Sequence, residues 1–85
     1  MGTRERIQEI VRDTLADDGI TLREGTAASD VPGWDSMAHV TIMFGIEHEF
    51  GVRFDEEEFS GFTSVGELER MIEQKLADPG DRAGD

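Results

Sequence analysis

Asp35 and Ser36 stand side by side where the turn-like stretch Pro32-Gly33-Trp34 gives way to a helical pattern. A serine hydroxyl at a helix N-terminus is well placed to carry a phosphodiester, because backbone N–H groups and the helix dipole favour negative charge there. The same two residues also have a plainer use, since Asp or Ser at that position caps a helix. His39 follows Ser36 by three residues, a spacing that could pair a nucleophile with its base. No oxyanion donor pair or orienting third group accompanies them, which argues against a hydrolase. His39 and His48 fall at different angles of one helix, against the spacing that helical metal pairs require. The run Asp55–Glu58 lacks the alternating acidic pattern of a calcium loop and reads as a solvated helix start.

The segments that must position Ser36 are helical. Over residues 4–17, Ile7, Ile10, Val11 and Leu15 share one face of a 3.6-residue period. Thr3 is the expected N-cap, and Asp17-Asp18-Gly19 the stop, with Gly19 suited to the left-handed conformation. Residues 20–34 keep no period, and Ile20, Leu22, Val31 and Trp34 are the residues that can pin this long connection to a core. Residues 36–50 form the second helix, which ends at Gly51. It carries two apolar stripes. Ile42, Met43, Ile46 and Phe50 suffice to face a core, which leaves Met37, Val40 and Phe44 as a contact surface beginning beside Ser36.

Val52-Arg53-Phe54 is a short extended link to a brief third helix, opened by Asp55–Glu58 and anchored by Phe59 and Phe62. Ser64-Val65-Gly66-Glu67 has the pattern of a capping box and starts a last helix with Val65, Leu68, Ile72 and Leu76 at helical spacing. The fold class is therefore all-α. One domain spans 1–78, and the polar remainder, 79–85, is expected to be disordered.

Composition removes several functions. Twenty Asp and Glu against eight Lys and Arg give a formal net charge of −12 over 85 residues. That balance excludes nucleic acid and anionic membranes as partners and favours basic ones. With no cysteine there is no disulfide framework, thiolate zinc site or thiol nucleophile. No apolar run approaches the ~20 residues of a membrane span, and no signal peptide opens the chain, so a cytoplasmic monomer is expected. So short a chain builds one modest core without a deep catalytic cleft.

Asp35-Ser36-Met37, then Val40, Ile42, Ile46, Glu47, Glu49 and Phe50-Gly51, and later Thr63-Ser64-Val65-Gly66-Glu67-Leu68, strongly resemble the acyl carrier proteins. The resemblance covers roughly residues 4–77. It implies a four-helix bundle with a long first loop and a short third helix. It implies a non-enzymatic shuttle, with Ser36 matching the serine that takes a covalent phosphopantetheine from coenzyme A. Asp35 matches the acidic neighbour that orients the attachment. Met37, Val40, Thr41 and Phe44, with the carboxylates Glu47, Asp55 and Glu56, are the partner-facing positions. The implied partners are a phosphopantetheinyl transferase, an acyl- or aminoacyl-loading enzyme, and synthases with basic docking surfaces.

Some positions depart from the fatty-acid type. Met37 replaces Leu, and Ala38 and Thr41 stand where acidic residues are common. Together with Trp34 and His39 they make the fragment look more like discrete carriers of bacterial polyketide-type pathways. A stand-alone aminoacyl carrier is the nearest alternative, although Trp34-Asp35 replaces the Gly-x pair of peptidyl carriers. An unmodified acidic helical adaptor is the competing class.

Overall fold

The computed structural model describes residues 2–61 and 63–77. Four helices follow in order: α1 (Thr3–Leu15), α2 (Ser36–Phe50), α3 (Glu56–Gly61) and α4 (Val65–Ala77). A single 3-10 turn, Ala28–Asp30, interrupts the long first loop. This is the expected all-α arrangement with a long first loop and a short third helix. Phe62 and residues 78–85 lie outside the described residues, and with them the anchoring role of Phe62 and the disorder of the tail.

The core forms where the apolar periods converge. Ile7 and Val11 of α1, Ile42, Met43 and Ile46 of α2, and Val65, Leu68 and Ile72 of α4 are fully buried. Phe50 and Val52 belong to the same core. Ile20, Leu22, Val31 and Trp34 enter from the first loop, so that loop is fastened at intervals and shaped by the core it covers. At the helix margins, Arg4 meets Glu69 at 2.6 Å and Arg6 meets Glu49 at 3.1 Å, linking α1 to α4 and α2. The Glu69 hydrogen bond raises the pKa of the Arg4 guanidinium above its ordinary value.

Three local expectations are corrected. The N-cap of α1 is Gly2; Thr3 is already helical, and the Glu5 carboxylate reaches back to the Gly2 N–H at 2.9 Å. The left-handed residue after α1 is Ala16, not Gly19, and the helix stops at Leu15. Asp17 takes the Gly19 N–H at 2.9 Å in a side-chain turn, and Arg12 holds the Ile20 carbonyl at 2.7 Å, which draws the chain off the helix axis early. The capping box of α4 is half formed. Glu67 N–H donates to Ser64 Oγ at 3.3 Å, but the Glu67 carboxylate accepts from the Thr63 hydroxyl. The orphan N–H groups of Val65 and Gly66 instead donate to the carbonyls of Thr26 and Glu24, at 2.7 and 2.8 Å. The first loop thereby caps the last helix.

The short third helix has the reciprocal box that α4 lacks. Asp55 accepts the Glu58 N–H at 2.8 Å, and Glu58 accepts the Asp55 N–H at 3.1 Å. Glu58 is not the solvated acid expected of this run. It is partly buried and pairs with Lys75 of α4 at 2.8 Å.

Candidate functional site

Asp35 decides the geometry at the start of α2. Its backbone is extended, and its carboxylate accepts the Ala38 N–H at 2.9 Å. It is the N-cap, and Ser36 is the first helical residue. Capping needs one side chain, so the Ser36 hydroxyl is released from that task. It is exposed, with no hydrogen-bond partner among the described residues. The N–H groups of Ser36 and Met37 likewise meet no acceptor among the described residues. A phosphate ester on Ser36 would therefore sit at the positive end of a fifteen-residue helix with donors to spare.

Beside Ser36 runs a groove of about 410 Å³ lined by Ala28, Trp34, Asp35, Ser36, His39 and Ser60. Trp34 forms one wall and is almost fully buried, which confirms its role as a loop anchor. His39 cannot act as a base for Ser36. One ring nitrogen accepts from the Trp34 indole at 3.1 Å, and the other meets the Phe59 carbonyl at 2.7 Å. No group of three or more His, Asp or Glu among the described residues could hold a metal ion.

The second helix divides as its stripes indicate. Ile42, Met43, Ile46 and Phe50 are buried, whereas Met37 is 83% exposed, Phe44 58% and Val40 41%. The exposed stripe starts one residue after Ser36. Thr41 is exposed beside it, its hydroxyl donating to the Met37 carbonyl at 3.3 Å. Asp55 and Glu56 are exposed at the start of α3, across a second groove from Phe44. Glu47 is placed differently. It is half-buried and accepts the Phe54 N–H at 2.8 Å, so it braces the link to α3. The sequence reading missed that brace, as it missed the joining of Trp34 to His39.

The family described as "Phosphopantetheine attachment site" matches residues 5–72 of this chain. The chain belongs to the acyl carrier protein family. It is 33% identical over 73 residues to "Acyl carrier protein" of Sinorhizobium fredii and, to the same extent, to "Acyl carrier protein AcpP" of Rhizobium meliloti. Each alignment covers 86% of this chain and 94% of the relative. Its fold is similar to that of a holo acyl carrier protein from Geobacter metallireducens, solved by NMR in solution. The TM-score is 0.82 at 30% identity, with 93% of this chain and 91% of that one covered. This carrier therefore works with a covalent phosphopantetheine and is not an enzyme. The exposed serine, the spare N–H donors and the adjoining groove suit that group. No helix among the described residues is long and apolar enough to cross a membrane.

Proposed function

We propose that Ser36 is the residue that carries phosphopantetheine, and that the protein shuttles acyl groups in a polyketide-type or related secondary pathway of the cytoplasm. The division of roles at the start of α2 carries the site assignment: Asp35 caps, and the Ser36 hydroxyl stands exposed at the first helical position. When bound, the arm supplies the thiol that holds an acyl group as a thioester, which a cysteine-free chain cannot supply itself. The residues contribute position and charge. The helix terminus favours the phosphodiester, and Asp35 supplies a carboxylate that orients the attachment in the transferase complex. Met37, Val40, Thr41 and Phe44 form the docking stripe, and Asp55, Glu56 and Glu47 add negative charge toward basic partners. The carrier domain spans 1–78 and acts as a monomer.

The pathway assignment rests on the first turn of α2, which holds no acidic residue. Beyond the cap Asp35, Ala38 and Thr41 add no carboxylate near the serine, and Trp34 and His39 line the groove. Incubation with coenzyme A and a broad-specificity phosphopantetheinyl transferase, read by intact mass, tests the site. The wild type gains one phosphopantetheine and Ser36→Ala gains none. An arm on Ser29, Ser60 or Ser64 would refute the assignment. Efficient use of the loaded carrier by fatty acid synthesis enzymes would refute the pathway.

A further inference from the structure

Trp34 and His39 are the residues beside Ser36 that carrying an arm leaves without a task. The indole N–H of Trp34 can only donate, and it meets Nδ1 of His39 at 3.1 Å. Nδ1 is therefore the bare, accepting nitrogen, and the proton of the neutral ring lies on Nε2. Nε2 then donates to the Phe59 carbonyl at 2.7 Å. One imidazole thus joins the first loop, α2 and α3. The Phe59 ring packs edge-on against His39, with centroids 5.5 Å apart, and Phe44 packs on Phe59 at 5.9 Å.

The third helix depends on such ties. It has six residues and none of them is buried. A helix this short does not hold itself together in water. The Glu58–Lys75 pair binds it to α4, and the Phe59–His39 hydrogen bond binds it to α2. Ser60, the next residue of α3, lines the groove that Ser36, Trp34 and His39 also line. The hydrogen bond to His39 therefore sets how far that wall stands from Ser36.

We infer that His39 is a positioning residue for arm attachment. In its Nε2–H tautomer it fixes α3 against α2 and the first loop, and so holds the groove beside Ser36 in the shape that the entering pantetheine chain and the transferase meet. With both ring nitrogens engaged it moves no proton. Its loss weakens recognition and leaves the chemistry at the serine intact. The inference rests on Ser36 as the attachment site.

Coenzyme A and a broad-specificity phosphopantetheinyl transferase serve as probes for the wild type, Ser36→Ala, His39→Gln and His39→Leu. Leu occupies the space and makes neither hydrogen bond, whereas the Gln amide reaches the Nε2 position and can donate to Phe59. His39→Leu is expected to raise the KM for the carrier about tenfold with kcat within about twofold, and His39→Gln to stay within about threefold of the wild-type KM. A wild-type KM for His39→Leu, or no rescue by a folded His39→Gln, would overturn the inference. Should His39→Leu not fold, a long-range nitrogen–proton correlation spectrum of the wild type still decides. A proton on Nε2 and a bare Nδ1 support the inference, and a proton on Nδ1 refutes it. A mass gain on Ser36→Ala would sink the attachment reading and this inference together; loading confined to Ser36 with an unmoved KM would sink this inference alone.

Discussion

The Glu24 carbonyl accepts the Gly66 N–H at 2.8 Å, and a Cβ on Gly66 would stand 2.9 Å from that same oxygen. The exposed Glu24 side chain can swing aside, but its carbonyl cannot move without giving up the hydrogen bond that caps α4. Gly66→Ala should therefore destabilise the protein by about 1–3 kcal/mol, as overpacking does. The loss belongs to the junction of loop and helix. It should appear as a lower urea midpoint with faster amide exchange at Val65 and at position 66. An unchanged midpoint would show that the first loop is not held there.

Lys75 is a buried cation at the core margin, with its ammonium 2.8 Å from Glu58 and 5.6 Å from the centre of the Phe54 ring. Glu58 keeps its bond to the Asp55 N–H when the lysine is removed, so little is left unsatisfied. Lys75→Met preserves most of the stem volume and should cost about 1–2 kcal/mol. Amide exchange over 56–61 should quicken while α1 stays protected. A uniform change across all helices would show that the pair is not a local tie of α3.

The repeating features of this fold are legible in its sequence, and the single contacts are not. Period alone separates Ile42, Ile46 and Phe50 from Met37, Val40 and Phe44, because the angle around a helix decides which residues meet the core. Gly51 ends α2 as its type requires, with φ at +70°. Asp35 and Ser36 were legible as a pair, but which of them caps depends on backbone conformation that no spacing encodes. Trp34 and His39 meet across a loop-to-helix junction, and the Phe59 carbonyl that completes the set has no sequence signature at all. Glu58 reads as a solvated acid until the fold brings Lys75 to it. The early stop of α1 follows from Asp17 and Arg12 competing for the backbone, where composition pointed to Gly19.

Asp35 caps α2, and substitution can separate that from the proposed orienting role of its charge. Asp35→Asn keeps an oxygen for the Ala38 N–H and should leave the urea midpoint within about 0.5 kcal/mol of wild type, whereas Asp35→Ala removes the cap at about 1 kcal/mol. If the charge orients the attachment, both variants accept phosphopantetheine more slowly, the Asn variant included. An Asn variant loaded at the wild-type rate would leave Asp35 with capping alone.

The net charge of −12 should govern encounter with basic partners. Association with the transferase should slow as salt rises, since exposed charges are screened beyond about 8–10 Å at ordinary ionic strength. The first turn of α2 adds no carboxylate to that of its cap Asp35, and the proposed steering charges are the exposed Asp55 and Glu56 at the start of α3. Asp55→Asn with Glu56→Gln should flatten the salt dependence of the on-rate. Stopped-flow measurement across a salt series checks this, and a wild-type on-rate that ignores salt would count against steering.

The two stripes of α2 should respond oppositely to truncation. Ile46 is fully buried and Phe50 nearly so, so Ile46→Ala and Phe50→Ala should each cost about 2–5 kcal/mol through lost burial and the cavity left behind. Val40 and Phe44 are 41% and 58% exposed, so Val40→Ala and Phe44→Ala should each cost less than about 1 kcal/mol. Phe44 marks the upper end of that range, because its ring packs on Phe59 and its loss loosens α3 as well. The docking role makes the opposite forecast for function: loading by a partner enzyme should fall clearly in Val40→Ala and Phe44→Ala, and persist in the folded fraction of Ile46→Ala. Denaturant midpoints and loading rates measured on the same four variants decide between the roles. A large midpoint drop in Val40→Ala with unimpaired loading would return that residue to the core and move the docking surface to another face of the helix.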